Sequence, residues 1–452
     1  MTAKTSAAGS TSTSALGNQR DDEKLRVQIQ STASAHFELE LSAPAGQRTE
    51  PKDVHLSSSH HLVEIAKREN HWIEVLAHVG GLDEQQQTTV RTVFQAPIAS
   101  VNVTAPNGAK RQLHAVDVSN NEKLIAVGGA DRLCVLWDAL DRTEAFVLSG
   151  HILDVTRVRF FPSSKVLLTG SLDFTLRIWS ADTGQCAAVL KGHRGGIEDI
   201  AILGRGRNLL DVCILELIVH FVCPTASSSD GLIHLWSCGT QEVIAKWSND
   251  VQSAVHCLSI LDDSAAKTLT GGTPQDALDL HDLESETEGK VLFAGLENGE
   301  TLGVDIRMRE LVMNLRGTGS AILSCAAANG AVPMLLTGSE DGILTTWDLR
   351  STSSPLQLLS QSSAPINRIA VAPARKSDSP ALSAWTAHGD GVCCNWSHLS
   401  SPGSSNSGAT VSTVLTGPRY DPVRDLALAP RTGRVLTVCR DGLLRDYIPH
   451  LQ

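Results

Sequence analysis

The sequence predicts an all-β fold, a seven-bladed β-propeller with a small N-terminal α+β extension. Three observations predict it. Residues 150–180 read GHILDVTRVRFFPSSKVLLTGSLDFTLRIWS, with Gly150-His151 opening the stretch, Thr169 and Asp173 inside it and Trp179 near its end. Between these landmarks lie three short β-like runs, at 155–160, 166–169 and 176–179, each bounded by turn residues. The six-residue step from Asp173 to Trp179 then recurs from Asp131 to Trp137, Asp230 to Trp236, Asp341 to Trp347 and Asp390 to Trp396, and in weakened form from Asp441 to Tyr447 and Asn298 to Val304. A supersecondary unit repeated at this period cannot bury its faces alone and must stack on copies of itself. Finally, 42% of the 452 residues are apolar and 19% charged, enough for one large packed core.

Taken in order, residues 1–20 are rich in Ser, Thr and Ala without an acid and read as a disordered tail. Residues 21–89 read as an N-terminal module or cap. Leu25, Val27 and Ile29, then Phe37, Leu39 and Leu41, alternate like two short strands. Leu62, Ile65, Trp72, Ile73 and Leu76 fit a helical face. Residues 90–452 form the propeller, with 89–94 (TVRTVF) expected to supply the outermost strand of the last blade and so close the ring. Acid-rich residues 276–288 read as a solvated loop in the fourth unit. Ser/Gly/Pro-rich stretches at 351–355 and 400–408 read as loops between the later blades.

The third unit breaks the period. Trp137 and Trp179 are 42 residues apart but Trp179 and Trp236 are 57 apart, and His193 to Asp230 is longer than His151 to Asp173 by the same 15. Excising 211–225 (DVCILELIVHFVCPT) joins GRGRNLL to ASSSDGLIHLWS, an ordinary second and third strand. The segment therefore reads as an insertion into the third blade, of the kind an in-frame retained intron leaves. In that alignment Ala226 stands where the second unit has Thr169.

The polar residues of the repeat invite a catalytic reading, because a Ser or Thr, a His and an Asp recur together. Their repetition argues for architecture instead. The second unit resembles a blade of the WD40 repeat, a unit of about 40–45 residues with Gly-His near its start and Trp-Asp near its end. That resemblance implies a buried hydrogen-bonded tetrad of His151, Thr169, Asp173 and Trp179. The third unit offers His193, Asp230 and Trp236, the fifth Thr337, Asp341 and Trp347, and the sixth Thr386, Asp390 and Trp396. Each such bond contributes on the order of 1 kcal/mol net, and a buried partner left alone costs about 1–3 kcal/mol.

Other function classes find little support. A net charge of −11 disfavours a nucleic-acid backbone as partner. The longest apolar run, 212–223, is broken by Glu216 and His220 and is too short to span a bilayer. Ten scattered cysteines with no C-x-x-C pair read as reduced thiols in the cytoplasm or nucleus. Gly204-Arg205-Gly206 lacks the third glycine of a dinucleotide fingerprint. The histidines His60, His61, His71 and His78 have no Cys or carboxylate spacing to complete a metal site. No catalytic residue, cofactor or metal is expected.

Three stretches carry a narrower resemblance: GHILDVTRVRFFPSSKVLLTGSLDFTLRIWSADTGQC, LKGHRGGIEDIAILGRGRNLL and DPVRDLALAPRTGRVLTVCRDGLLRDY. They resemble the proteasomal ATPase-associated factor family. The resemblance implies a non-enzymatic, monomeric WD40 protein that binds ATPase subunits of the proteasome regulatory particle and influences proteasome assembly. The family's third blade lacks 211–225. The alternative is a propeller that recruits substrates to a ubiquitin ligase or scaffolds another complex. Blade-connecting loops on one face are the place to look for a partner, and there the sequence nominates Asp154, Leu172, Glu198, Ser229, Glu340 and Arg440.

Overall fold

The computed structural model describes residues 24–29, 37–42, 61–69, 72–79, 88–103, 111–214, 232–248, 253–262, 269, 282–329, 332–372, 382–399, 409–418 and 421–449. Every bounded element among them is a β-strand. The chain divides into two units, Pro97–Val411 with Gly417–Pro449, and Met1–Ala96 with Ser412–Thr416 and His450–Gln452.

The larger unit is the expected seven-bladed propeller. Blade 1 contains strands Leu113–Val118, Leu124–Gly129, Leu133–Asp138 and Glu144–Ser149. In blade 2 the strands are Val155–Phe160, Val166–Ser171, Thr175–Ser180 and Cys186–Lys191. Those of blade 3 are Gly196–Leu203, Asn208–Ile214, Leu232–Ser237 and Glu242–Ser248. Blade 4 has Val255–Asp262, Lys290–Leu296, Glu300–Asp305 and Leu311–Arg316. Blade 5 has Ile322–Ala328, Met334–Ser339, Ile343–Asp348 and Gln357–Ser360. Blade 6 has Ile366–Val371, Ala384–His388 and Cys393–Ser397, with Thr410 opening the fourth strand. In each blade the strands pair antiparallel in chain order, and the first strands of successive blades touch around a closed ring.

Blade 7 closes the ring. Its first three strands, Val423–Leu428, Val435–Cys439 and Leu443–Tyr447, come from the end of the chain. Its fourth is Ala99–Asn102, paired Leu443 with Asn102 through Asp446 with Ala99. The closing strand is thus not 89–94. That stretch lies in Thr88–Gln95 of the smaller unit, where it pairs antiparallel with Trp72–Val79 and parallel with Thr413 to Leu415.

The smaller unit also corrects the helical expectation. Leu62, Ile65, Trp72, Ile73 and Leu76 lie in the strands His61–Glu69 and Trp72–Val79, an antiparallel hairpin. Leu62 and Ile65 stand an odd number of residues apart within a regularly paired stretch, as do Ile73 and Leu76, so each strand carries apolar residues at positions of both parities. A three-residue apolar step here therefore needs no helix. The first two strands, Lys24–Ile29 and Phe37–Ser42, pair as expected. The tail 1–20 lies outside the described residues.

Two further expectations change. Residues 211–214 belong to the second strand of blade 3, where Leu210 pairs with Leu235, Asp211 with His234 and Val212 with Ile233. The acidic stretch 282–288 is engaged rather than freely solvated. The Ser285 amide donates to Asn208 Oδ1 at 2.8 Å, the buried Glu284 carboxylate meets Arg309 at 2.9 Å, and Glu288 meets Arg307 at 2.8 Å. Between blades 2 and 3, Leu168, Leu176, Leu190, Ile197, Leu209 and Trp236 form one core cluster. Each fully buried aliphatic side chain there contributes about 1.5–3 kcal/mol.

Candidate functional site

Blade 2 contains the complete predicted tetrad. Trp179 Nε1 donates to Thr169 Oγ1 at 2.9 Å, so the Thr169 hydroxyl proton is free to point at His151 Nε2, 2.7 Å away. His151 Nδ1 then donates to Asp173 Oδ2 at 2.9 Å. Asp173 also accepts the Ile152 and Thr175 amides, each at 3.0 Å. Burial pushes the Asp173 carboxyl up, but its bonds to His151 and Thr175 win and hold it well below the usual carboxylate range.

The other blades build the same position from different residues. In blade 5 Trp347 donates to Thr337 at 3.3 Å, and Asp341 bonds the Ser339 hydroxyl. In blade 6 Trp396 donates to Thr386 at 3.0 Å. Asp390 caps its turn there by accepting the Val392 amide at 3.1 Å. A histidine that sequence reasoning did not assign to blade 6 is His388, whose Nε2 lies 2.9 Å from the Thr386 hydroxyl. It comes from the end of the second strand instead of a Gly-His turn. Blade 1 replaces the His–Asp bond by an ion pair of Arg111 with Asp131, and blade 7 pairs Arg445 with Asp441.

Blade 3 differs most. Trp236 Nε1 donates to Asp211 Oδ1 at 2.9 Å and His193 Nε2 lies 2.5 Å from Asp211 Oδ2. Asp211, not Ala226, therefore occupies the place of Thr169. It lies 25 residues before its tryptophan, against 10 in blades 2, 5 and 6. The fifteen-residue excess thus follows this residue. His234 stacks on His193 with ring centroids 3.9 Å apart. Burial and the neighbouring His193 bring its pKa down to about 3, so it is neutral. Asp230 and Ser229 lie outside the described residues.

A second polar system joins the blades and was not visible in the sequence. At each of the seven junctions a side chain of one inner strand bonds the backbone of the next. Asp117 accepts the Phe160 amide at 2.7 Å, Thr156 donates to the Ile197 carbonyl at 2.6 Å and Asp199 accepts from Leu258 at 3.0 Å. Ser259 accepts from Ala327 at 2.8 Å and Ser324 from Ile369 at 2.9 Å. Asn367 donates to the Val423 carbonyl at 2.8 Å, and Asp425 accepts from Val116 at 3.1 Å. Arg157 pairs with Asp199 at 3.2 Å, and Arg368 bridges Asp199 at 3.6 Å and Asp425 at 3.3 Å. Burial raises the Asp117 pKa to about 6 against the pull of Arg159, and raises that of Asp425 as well. These carboxylates hold backbone amides and face guanidinium groups, which is a structural use of charge.

The nominated partner residues fall at equivalent places. The Leu172 amide donates to the Asp154 carbonyl at 3.0 Å, and the Glu340 amide makes the same bond to Ala321 at 2.9 Å. The backbone therefore sets Leu172 and Glu340 at the same end of their blades. Glu340 and Arg440 are exposed, whereas Asp154, Leu172 and Glu198 are half-buried. A Cβ on Gly196 would lie 2.6 Å from Leu172 Cδ2, so Leu172 also packs against blade 3. Asp154 lies 3.7 Å from His114 Nε2, and burial raises its pKa against the pull of that ring.

Sequence reasoning missed the apolar residues beside them. Ile152 is 68% exposed, and Leu153 and Phe174 are each 41% exposed. All three surround the Asp173 turn, because the Ile152 amide bonds Asp173 and Phe174 follows it. Phe174 has φ +67°, while the corresponding residues of blades 4 to 7 are Gly299, Gly342, Gly391 and Gly442, also at positive φ. Blade 1 places Arg132 at the same turn position, at φ +70°, so a non-glycine residue stands there in both of these blades.

Residues 102–138 and 142–180 match the family model described as WD domain, G-beta repeat. The chain is 25% identical over 351 residues to the 26S proteasome regulatory subunit RPN14 of Saccharomyces cerevisiae, covering 74% of this chain and 79% of that protein. It is 30% identical over 306 residues to the probable proteasomal ATPase-associated factor 1 of Dictyostelium discoideum, covering 65% and 68%. The chain belongs to the proteasomal ATPase-associated factor family. A guanine nucleotide-binding protein subunit beta of Oryza sativa is 24% identical over 240 residues, 51% of this chain and 54% of that protein. This family member is thus a proteasome-related WD40 propeller. The nine cysteines among its described residues are free thiols.

Proposed function

We propose that this family member is a non-catalytic docking propeller that binds ATPase subunits of the proteasome regulatory particle and regulates proteasome assembly, in the cytoplasm and nucleus. The observation that carries the reading is the contrast at blade 2. Its His, Thr, Asp and Trp are consumed by one another, while Ile152, Leu153 and Phe174 face solvent around the same turn. An apolar group around this turn, with the acidic Asp154 next to Leu153 in the chain, has the make-up of a protein-binding patch. It suits a partner with apolar side chains and a basic rim. The relatives' printed names supply the proteasome as the setting.

Affinity purification with mass spectrometry tests the proposal. The wild-type chain should enrich regulatory-particle ATPases. Ile152→Asp combined with Phe174→Asp should reduce that capture at least about tenfold, the loss of a central apolar anchor. Charge reversal at Asp154, Glu198 and Glu340 should act more weakly, mainly on the association rate. Undiminished capture by the Ile152/Phe174 variant would remove this face, and enrichment of cullin adaptors in place of ATPases would favour the ubiquitin-ligase alternative.

A further inference from the structure

We propose that His193, Asp211 and His234 form a binding site for one zinc ion inside the third blade. The three come from separate places: His193 precedes the first strand, Asp211 lies in the second and His234 is its cross-strand partner in the third. One ligand atom from each lies within 4.8 Å of the others. The His193 and Asp211 side chains are 1% and 0% exposed and His234 is 2% exposed.

The motive is a polar group without a use. Among the described residues neither nitrogen of His234 has a hydrogen-bond partner, and neither does Nδ1 of His193. An imidazole buried in this way costs free energy that an apolar side chain of similar size would not. The corresponding position in blade 2 is Arg177, opposite Thr169. The second ring therefore belongs to blade 3 and not to the repeat. Two imidazoles and a carboxylate are a zinc donor set, with bonds of about 2.0–2.2 Å and a fourth position open to water. Trp236 already fixes the carboxylate through Oδ1 at 2.9 Å, leaving Oδ2 for the metal, as an outer-shell donor does. On binding, the stacked His193 and His234 rings turn so that each directs a nitrogen at the ion, and zinc replaces the direct contact between His193 Nε2 and Asp211 Oδ2.

Such a site ties together the parts of the blade that carries the fifteen extra residues. It also depends on them. If 211–225 is excised, the residue facing His234 becomes Ala226, which offers no ligand.

The test uses the purified full-length chain, stripped with a chelator and then exposed to micromolar zinc or cobalt(II). One zinc per chain should be retained on desalting, measured by elemental mass spectrometry. Cobalt should give the visible d–d bands of a low-coordinate nitrogen–oxygen site. His234→Gln and Asp211→Asn should each weaken zinc binding at least about 100-fold, since even outer-shell changes cost about 10–100-fold. Zinc should raise the melting temperature of the wild type but not of His234→Gln. A folded wild-type chain that retains no zinc overturns the proposal irrespective of the variants, and so do folded variants that bind zinc as the wild type does.

Discussion

Blades 2 and 3 are neighbours with the same job, and they do it with different chemistry. In blade 2 the Thr169 hydroxyl serves as acceptor for Trp179 and as donor to His151, so one small neutral group links two rings. In blade 3 the Asp211 carboxylate receives Trp236 and His193 on separate oxygens. A carboxylate can only accept, so His193 must present its proton to Asp211, the reverse of the assignment for His151. The fold thus conserves a position and its connections, while the direction of proton donation along the chain of bonds is free to change.

The largest expected effect tests whether the central group is structural in both blades. Thr169→Val leaves Trp179 N–H and His151 Nε2 unpaired and should cost about 2–6 kcal/mol in denaturant unfolding, at about 1–3 kcal/mol for each orphaned group. Asp211→Thr supplies the blade 2 solution to blade 3. In metal-free protein it should change stability by no more than about 1 kcal/mol.

An intermediate effect concerns the junctions on either side of blade 2. The junction to blade 1 uses the Asp117 carboxylate and the junction to blade 3 the neutral Thr156 hydroxyl. With its folded pKa raised to about 6, Asp117 holds a proton in the native state over a range where the unfolded chain, near 3.9, has released it. Its contribution is therefore fully present below about pH 4 and is lost as pH rises through about 6. Asp117→Asn, which can still accept the Phe160 amide, should remove this fall. Thermal melts from pH 4 to 8 should show the variant gaining on wild type as pH increases, and parallel curves would contradict the assignment.

The smallest effect concerns the exposed turn. Phe174→Gly gives blade 2 the residue that blades 4 to 7 use at positive φ. It should stabilise the protein by about 1 kcal/mol or less, since left-handed strain costs on the order of 1 kcal/mol and glycine returns part of that as backbone entropy. ATPase capture should nevertheless fall. A gain in stability together with a loss of binding would mark Phe174 as a residue kept for contact.

Blade 2 was legible because its four residues stand at spacings that one blade fixes locally. His388 was not, because it reaches Thr386 from two residues away on the same strand and imitates a residue that normally comes from a distant turn. The ring of junction bonds could not be read because partners such as Asp425 and Val116 lie 309 residues apart. In blade 3 the ruler found the size of the excess but not where the strand ends. Leu210 can be followed by Asp211-Val212-Cys213 or, after excision, by Ala226-Ser227-Ser228, and both continue a second strand. What distinguishes them is the side chain that His193 and Trp236 meet. The exposed apolar group escaped notice because Ile152, Leu153 and Phe174 also fit the strand-and-turn pattern as ordinary core.

Hydrogen exchange of the peptide spanning 208–214, read by mass spectrometry, tests most directly whether Asp211 has taken the place of Thr169. If it has, the amides of 208–212 lie in a strand paired on both sides and should be protected to the same degree as those of Val166–Ser171 in blade 2. Rapid exchange from residue 211 onward, beside protected 208–210, would show that the second strand of blade 3 is completed by other residues, and the equivalence of the two blades would fail.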